Sequence, residues 1–220
     1  MPTDAAEIVR ASTRLGPVSL VPEIRLYQAP EPMGLWQWTE LATGRSGLEP
    51  PFWGFAWAGG QALARYLLDH PETVAGRRVM DLASGSGLVA IAAVKAGAAD
   101  VTAYDIDPLA TAAIAVNATA NGVAVHVVRG DLAGLLDGPP PRAGDLLLVA
   151  DAFYERDLAD RVTRLLERAR AGGAAVLAGD FGRTYLPRER LEPLAAYDVP
   201  ELGKLEDRDV KRTTIWTLRR

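Results

Sequence analysis

Short apolar runs alternate with longer amphipathic stretches along most of the chain. Five apolar runs predict strands, at residues 78–82, 100–104, 123–129, 145–150 and 174–178. Apolar spacings of three and four predict helices at residues 61–69, 87–96, 107–121 and 157–171. Strands that alternate with helices of about 10–15 residues form βαβ units, so the pattern predicts an α/β fold with a mostly parallel sheet.

The ends of these stretches carry the expected boundary residues. Asp107 followed by Pro108 is typical of an N-cap with proline at the first helical position. Gly97 and Gly122 lie where two of the helices should end. Residues 213–218 alternate as a strand does, and no helix pattern is present from 198 to 212. The chain is therefore predicted to close with a hairpin whose last strand is antiparallel.

The first fifty residues differ from the rest. A short helix is predicted at about 4–14 and a strand at 18–27, followed by a segment rich in proline, glycine and tryptophan. Prolines at 30, 32, 50 and 51 argue against regular elements in that segment. We expect residues 1–50 to form an N-terminal cover and residues 51–220 to form the main domain.

Composition narrows the chemistry. The chain has 220 residues, a net charge of −4, two histidines and no cysteine, which excludes disulfides, thiolate metal sites and a cysteine nucleophile. The acidic balance gives no support for a nucleic-acid partner. The N-terminus lacks a secretory apolar core, and no apolar run reaches the length of a membrane span. We expect a cytoplasmic protein without membrane partners.

A glycine-rich turn is the most informative feature. The strand at 78–82 contains Asp81, and the turn that follows consists of Ala83, Ser84, Gly85, Ser86 and Gly87. Glycines let a backbone approach a ligand closely and adopt positive φ, and the next helix begins with free N–H groups. Because it lies at the end of its strand, the Asp81 carboxylate is predicted to pair with a cationic group of the ligand.

The next two strands also end in acidic residues. Asp105 and Ile106 end the second strand, and the Asp105 carboxylate is placed to accept hydrogen bonds from a ribose diol. Asp131 follows the third strand and could accept from an adenine amino group. Three strand ends with such residues predict a nucleoside site.

The motif has three interpretations: a site for a dinucleotide, a site for S-adenosylmethionine, or a turn that binds no ligand. Gly85 and Gly87 with Ala90 match a relaxed dinucleotide fingerprint, for which Asp105 lies near the right distance. A pyrophosphate, however, would be opposed by the Asp81 carboxylate. A ligand with an amino group and a sulfonium, such as S-adenosylmethionine, suits that charge better.

At these residues the chain resembles the class I, seven-β-strand S-adenosylmethionine-dependent methyltransferases. Residues 50–67 resemble the segment before the glycine motif in the electron-transfer-flavoprotein β-subunit lysine methyltransferases and their bacterial relatives. Residues 151–155 fit the Asp-x-x-Tyr motif of protein-lysine methyltransferases, and residues 179–187 resemble the loop after their fifth strand. Ala83, where methyltransferases usually have glycine, and Ala152 and Phe181, where relatives often have proline, depart from the pattern.

The resemblance implies a Rossmann-like three-layer sandwich with a seven-stranded, mostly parallel sheet and an antiparallel last strand. It also implies S-adenosylmethionine as cofactor and a protein substrate with an accessible lysine, for which the electron-transfer-flavoprotein β subunit is a candidate. The cofactor would be held by the following residues: Trp53, Trp57, Asp81, Ala83, Ser84, Gly85, Gly87, Asp105, Ile106, Asp131 and Asp151. The two tryptophans are proposed to cover the sulfonium through cation–π contacts, or else to pack in the core.

Catalytic roles are expected of three residues at the acceptor side. Asp151 would hold the incoming ammonium, and Tyr154 would narrow the channel and hydrogen-bond the amine. The amine would lose its proton to water, or with help from a nearby carboxylate such as Asp180. The structural alternatives are a cap or turn carboxylate for Asp151 and a wall residue for Tyr154. An acidic run with Glu201, Glu206, Asp207 and Asp209 is most simply a solvated loop, but would favour a basic substrate if it bordered the site.

The predicted reaction is N-methylation of a protein lysine. Methylation of a small molecule is an alternative within the same enzyme class. An NAD(P)-binding oxidoreductase and a non-catalytic methyltransferase-like scaffold are alternatives from other classes.

Overall fold

The computed structural model describes residues 4–44, 46–200 and 210–219. The helices are α1 (Ala5–Ser12), α2 (Pro32–Thr43), α3 (Ala58–Asp69), α4 (Leu88–Lys95), α5 (Pro108–Ala120), α6 (Leu132–Asp137) and α7 (Arg156–Ala171). The strands are β1 (Arg14–Pro17), β2 (Arg25–Gln28), β3 (Arg78–Leu82), β4 (Asp100–Asp105), β5 (His126–Arg129), β6 (Leu146–Ala150), β7 (Ala175–Asp180), β8 (Leu191–Pro200) and β9 (Val210–Leu218). Short 3₁₀ turns lie at 52–54, 71–73 and 188–190.

Seven strands form the main sheet, in the order β5-β4-β3-β6-β7-β9-β8. Strands β3 to β7 pair in parallel, while β9 is antiparallel to both of its neighbours. The predicted fold class, including the antiparallel last strand, is confirmed. The chain builds outward from β3 in one direction through β5 and then in the other through β7. The direction of winding therefore reverses between β3 and β6, which is where open α/β sheets bind ligands.

Strand β6 shows why the fold has three layers. Its residues are buried on both faces, as parallel central strands require. Leu146 and Leu148 pack with α3 and α4 on one face, whereas Leu147 and Val149 pack with α7 on the other. The alternating side chains of one strand therefore belong to two separate cores.

The N-terminal residues differ from their prediction in two places. Residues 18–24 form a turn between β1 and β2 rather than a strand, and the apolar side chains of Val18, Val21 and Ile24 fill the core. The proline-rich segment contains α2, because Pro32 occupies the first helical turn, where its missing N–H costs nothing. The Glu31 carboxylate caps this helix by accepting from the N–H groups of Met33 and Gly34, at 2.9 and 2.6 Å.

The N-terminal elements pack directly on α5. Val9 of α1, Leu35 of α2 and Trp53 share a buried cluster with Leu109 and Val116 of α5. Residues 1–50 therefore share part of their core with the rest of the chain, and their separation as a cover segment stays a prediction.

Other differences lie toward the C-terminus. The sequence pattern missed α6 and gave no position for β8, the partner of β9 in the terminal hairpin. The acidic run at 201–209 lies outside the described residues. Among the helices of the described residues, none is long and apolar enough to cross a membrane.

Candidate active site

Four neighbouring strands end in aspartates at one edge of the sheet. Asp81 is the penultimate residue of β3, Asp105 and Asp180 are the last residues of β4 and β7, and Asp151 directly follows β6. Parallel strands bring their carboxyl ends to the same edge, so these side chains lie on both sides of the point where the winding reverses.

The glycine loop between β3 and α4 is built from left-handed residues. Ala83, Gly85 and Gly87 have φ of +51°, +56° and +82°. The Gly85 N–H donates to Oδ2 of Asp105 over 2.8 Å, which ties the loop to the end of β4. No heavy atom lies within 4 Å of the position that a Cβ on Gly85 would occupy. The loop therefore presents an open backbone face beside a carboxylate.

Asp81 lies beneath this loop rather than on its open face. Its Oδ2 accepts from the Ser84 hydroxyl at 2.5 Å and from the Ala90 N–H at 3.1 Å, and the residue is only 1% exposed. Burial raises the pKa of Asp81 to about 7. The geometry does not favour the direct ion pair with a ligand cation that the sequence predicted; the carboxyl fixes the loop to the first turn of α4.

The predicted nucleoside residues are partly brought together. Asp105 accepts from the N–H groups of Gly85 and Asp107 and is partly exposed, and burial raises the pKa of its carboxyl. Ile106 beside it is 64% exposed and offers an apolar face next to the carboxylate. Asp131 is exposed beyond the end of β5, where its Oδ1 lies 3.5 Å from Nη1 of Arg161.

Asp151 is held by contacts from three directions. Its own φ is +58°, and its N–H donates to the Gly179 carbonyl over 3.0 Å. Its Oδ2 accepts from the Gly60 N–H in the first turn of α3 at 2.7 Å, and its Oδ1 accepts from Nη1 of Arg183 at 2.5 Å. A Cβ on Gly59 would meet Asp151 Oδ2 at 2.6 Å, so glycine is required for this close approach. The cap role left open by the sequence is therefore present.

The position of Asp180 does not fit its predicted role in removing a proton from the amine. The carboxyl is fully buried, and its Oδ1 accepts from the N–H groups of Gly182 and Arg183 at 2.6 and 2.7 Å. Its Oδ2 lies 3.1 Å from Nη1 of Arg183. With no exposed surface, Asp180 cannot take a proton directly from an acceptor amine; it orders the loop after β7.

Aromatic rings form an exposed rim at the same edge. The Tyr154 ring lies 5.3 Å from that of Phe52, which in turn lies 6.0 Å from that of Trp57. Tyr154 is 47% exposed and Trp57 is 38% exposed, and the Trp57 indole N–H donates to the Phe52 carbonyl. Burial raises the pKa of the Tyr154 phenol, which is therefore protonated at neutral pH.

Trp53 does not belong to this rim. It is only 1% exposed and packs in the cluster between the N-terminal elements and α5. Its predicted contact with a cofactor is therefore not supported, because protein atoms surround the indole on all sides.

Sequence reasoning missed three residues that organise the site. Phe52 supplies the centre of the aromatic rim, and its position beside Trp53 and Trp57 was the available signal. Arg183 joins two of the strand-end carboxylates. Asn117 of α5 donates to the Ser86 carbonyl of the glycine loop over 2.8 Å. The contacts of Asn117 with Ser86 and of Arg183 with Asp151 had no local signal, because the partners lie about 30 residues apart in sequence. Asp180, the other partner of Arg183, is three residues away.

Comparisons with known proteins show the family to which the chain belongs. The sequence profile of the ribosomal protein L11 methyltransferase (PrmA) family matches residues 62–177. The electron transfer flavoprotein beta subunit lysine methyltransferase of Rattus norvegicus is 36% identical over 207 residues, which cover 90% of this chain and 77% of that protein. The chain belongs to the family of methyltransferases that includes this rat protein and that the PrmA profile also matches.

Solved structures support the methyltransferase fold. TrmN from Thermus thermophilus superposes with a TM-score of 0.54 at 19% identity, covering 84% of this chain and 66% of that one. SMU.776, solved in complex with SAH, gives a TM-score of 0.50 at 14% identity, covering 79% and 51%. At these identities the matches show the fold alone.

The residues at the carboxyl edge of this methyltransferase fit S-adenosylmethionine. Gly85 leaves open space beside the backbone, the partly exposed Asp105 carboxylate provides an acceptor, and the exposed Ile106 provides an apolar face. A dinucleotide would bring its pyrophosphate to the same loop, directly above the buried Asp81 carboxyl.

Proposed function

We propose that this methyltransferase transfers the methyl group of S-adenosylmethionine to the side-chain amine of a lysine in a protein. The observation that carries the proposal is the placement of two half-sites on one edge of the sheet. The glycine loop with Asp105 lies on one side of the winding reversal, and Asp151 with Tyr154 lies on the other. The rat relative is by its name a lysine methyltransferase, which supports the choice of acceptor.

The cofactor half is assigned to the residues between β3 and α5. The open loop at Gly85 leaves room for a ligand to approach the backbone, although the Ser84 N–H and C=O and the Gly85 N–H are already bonded within the protein. Asp105 offers its partly exposed carboxylate to a ribose diol, and Ile106 offers an apolar face to the base. When bound, S-adenosylmethionine supplies a methyl group on a sulfonium, and transfer breaks the carbon–sulfur bond as the nitrogen–carbon bond forms.

The acceptor half binds and orients the amine. A free lysine has a pKa of about 10.4, so the ammonium must lose a proton before its nitrogen can attack. The Tyr154 side chain, whose residue is 47% exposed, would hydrogen-bond the amine through its hydroxyl, and the Phe52 and Trp57 rings would form an apolar wall for the lysine stem. Since Asp180 is fully buried, the proton goes to water rather than to that carboxylate.

The aromatic rim suits a protein substrate better than a small hydrophilic amine. Phe52, Trp57 and Tyr154 are all more than a third exposed, and the Phe52 ring contacts both of the others, which makes a continuous apolar surface around the acceptor side. The electron-transfer-flavoprotein β subunit is the first candidate, because the rat relative is named for it.

The test is methyl transfer from tritiated S-adenosylmethionine to the electron-transfer-flavoprotein β subunit. We expect label in the protein band, and loss of the label when its surface lysines are replaced by arginine. Incubation with a lysate, resolved by mass, provides the alternative outcomes. Label only in a small molecule would replace the proposed acceptor, and no label in any fraction would refute the proposed reaction.

A variant of Asp105 tests the cofactor half separately. Asp105→Asn should weaken S-adenosylhomocysteine binding at least about tenfold by calorimetry, because the acceptor for the ribose diol loses its charge. Asp100→Asn is the matched control, since Asp100 lies at the opposite end of the same strand and is half exposed. Equal affinities in the two variants would contradict the assignment.

A further inference from the structure

An arginine lies between the two carboxylates of the acceptor side. Nη1 of Arg183 is 2.5 Å from Asp151 Oδ1 and 3.1 Å from Asp180 Oδ2, so one nitrogen bridges residues from two different strand ends. We propose that Arg183 is a positioning residue that sets the charge of the acceptor site to a single net negative charge, matched to one lysine ammonium. The inference rests on the proposed function, because it concerns the same acceptor.

The arginine is fixed in this position. Its guanidinium stacks on the Phe181 ring, with 4.3 Å from Cζ to the ring centroid. Its own N–H donates to Asp180 Oδ1 over 2.7 Å, so backbone and side chain both hold it to the same carboxyl. Its side chain is 14% exposed and that of Asp151 is 10% exposed. The cluster therefore remains in place as the acceptor enters.

The charge of the cluster follows from counting. Two carboxylates and one guanidinium carry a formal net charge of −1. One entering ammonium neutralises this charge, so the cluster attracts a lysine. Without Arg183 the same site would carry −2 at any pH above the pKa of Asp151, and this charge would hold the ammonium in its protonated, unreactive form. Burial itself raises the pKa of Asp151, and the Arg183 charge is the main influence that opposes this rise.

Other charged and titratable groups surround the cluster. Lys211 of β9 contacts the Phe181 ring with its ammonium 4.6 Å from the centroid, and Arg188 donates to the Gly182 carbonyl. The electrostatic neighbours of Tyr154 on the other side are Glu49, Asp105, Glu155 and Arg183 itself. The Asp151 oxygens contact only the α3 backbone and Arg183 in the part of the chain that the structure describes, so these outer groups act on the cluster at longer range.

Charge changes at two positions test the proposal. In Arg183→Gln the site gains one negative charge, and we expect the rising limb of the pH profile of kcat to move up by about one pH unit. In Asp180→Asn the site loses one negative charge, and the limb should move down by a similar amount. The amide oxygen that this second substitution introduces can still accept from the N–H groups of Gly182 and Arg183, so the variant keeps the loop contacts.

The double variant distinguishes charge from structure. Asp180→Asn with Arg183→Gln loses the same side-chain contacts as the single variants but has the wild-type net charge. We expect its pH profile to return to within a few tenths of a unit of the wild type. Arg183→Lys keeps the charge and should also keep the profile. Arg188→Gln is the control for a positive charge outside the cluster. Because Arg188 is exposed and its charge is screened by solvent, this variant should shift the profile much less than Arg183→Gln does.

The probes are S-adenosylmethionine and the electron-transfer-flavoprotein β subunit, and two readouts are needed. The first readout is kcat and KM from pH 6.5 to 10, measured for each variant whose unfolding temperature equals that of the wild type. The second is binding of that subunit, measured by calorimetry with S-adenosylhomocysteine present, where Arg183→Gln should bind more tightly at pH 7 despite its lower kcat. If Arg183→Gln does not fold, Asp180→Asn and Arg183→Lys still carry the test.

The outcomes separate this inference from the proposed function. If the wild type transfers no label to that subunit or to any lysate protein, the proposed function fails. If the wild type is active and the profiles of all variants coincide, or the double variant stays shifted with Arg183→Gln, the charge role of Arg183 is wrong and the residue is structural.

Discussion

Among the described residues, two that are not glycine have positive φ, and both lie at the site. Ala83 in the glycine loop has φ of +51° and Asp151 after β6 has φ of +58°. For a residue with a Cβ this conformation costs about 1–2 kcal/mol. Asp151 recovers part of that cost through its hydrogen bonds to Gly60 and Arg183, whereas the Ala83 methyl group has no polar contact to offset it. Backbone strain of this kind persists where the surrounding structure holds it.

Ala83→Gly should therefore stabilise the protein. Removing the Cβ relieves the strain, and the added freedom of the unfolded glycine offsets about half of that gain, so we expect an increase of about 0.5–1 kcal/mol in the free energy of unfolding. Urea denaturation measures it. Gly122→Ala is the reverse control, since Gly122 has φ of +66° with no atom within 4 Å of its Cβ position, and should lose about 1 kcal/mol. If Ala83→Gly were less stable than the wild type, the positive φ of Ala83 would not be a source of strain.

The buried carboxyl of Asp81 predicts an unusual pH dependence. Its folded-state pKa of about 7 lies above the ordinary 3.8, so the folded chain keeps the proton longer than the unfolded chain does. Ionisation therefore costs stability as the pH rises from about 4 to about 7, and the cost is complete above that range. Asp81→Asn cannot ionise, and its amide oxygen can keep both contacts that converge on Oδ2.

We expect Asp81→Asn to be more stable than the wild type by about 2–4 kcal/mol at pH 8 and by less than half of that amount at pH 5. Denaturation at the two pH values measures the difference. A gap that is constant with pH would show that the carboxyl ionises normally. S-adenosylhomocysteine affinity in the same variant tests the ligand role that the sequence predicted for Asp81, because a direct ion pair would be lost with the charge.

At the scale of single residues, the sequence predicted which strand ends would carry acids but not what each acid contacts. Asp105 and Asp151 were placed at the correct edge because parallel strands have a common polarity. The Asp151–Arg183 contact joins residues 32 apart, and no local spacing encodes it. Trp53 and Trp57 are four residues apart in sequence, yet only contacts with distant elements decide that Trp53 is buried and Trp57 is partly exposed.

At the scale of elements, α5 links the N-terminal hairpin to the glycine loop. The side chain of Asn117 is fully buried, accepts from the Tyr27 N–H of β2 and donates to the Ser86 carbonyl, with both distances 2.8 Å. Asn121, one turn later, exchanges hydrogen bonds with the Arg25 backbone of β2 and does not contact the loop. Two asparagines on one helix face therefore complete the edge of β2, and one of them also supports the candidate cofactor site.

Asn117→Ala should cost about 2–4 kcal/mol of stability, because it leaves a buried N–H and a buried carbonyl without partners. Asn121→Ala, whose contacts to Arg25 are exposed, should cost less than about 1 kcal/mol. Urea denaturation of both variants measures the difference. Faster amide exchange at Tyr27 in the first variant would locate the damage in β2, and similar losses in the two variants would show that the loop contact contributes little.

Elements with strong local signals were predicted and those defined by tertiary contacts were not. The boundaries of α5 followed from Asp107, Pro108 and Gly122 to within a residue or two. Helix α2 was missed because Pro32 was taken as a helix breaker, although proline is favoured at a first turn. Strand β8 contains two prolines and many exposed residues, so its strand identity comes from pairing with β9 rather than from its own pattern.

At the scale of the whole molecule, the alternation of strands and helices was sufficient to predict the parallel sheet. Right-handed crossovers leave few arrangements for such a chain, which is why the class of fold follows from the order of its strands and helices alone. The sequence could not show that the first fifty residues complete a core. Their apolar positions are scattered, and they become a cluster only when α1 and α2 are brought against α5.

This shared core predicts that residues 51–220 do not fold as an independent unit. The α5 face that contains Leu109, Ala113 and Val116 is covered by Ile8 and Val9 of α1 and by Leu35 of α2. Without residues 1–50 that face is open to water, so the fragment should bind a hydrophobic dye and lose its cooperative unfolding transition. Calorimetry of the full chain should show one transition. A fragment with a sharp transition of its own would establish the N-terminal segment as a separate cover.

Point variants of the full chain test the same core without a truncation. Val9→Asp places a carboxylate in the fully buried part of the cluster, and we expect the free energy of unfolding to fall by at least about 3 kcal/mol. Because the N-terminal elements and the sheet share a core and unfold together, the whole transition should shift. Arg10→Asp introduces the same charge at the next residue of the same helix, where the side chain is exposed, and should cost less than about 1 kcal/mol. If Val9→Asp released only α1, with the sheet melting at its original temperature, the N-terminal elements would be an addition to the methyltransferase core rather than a part of it.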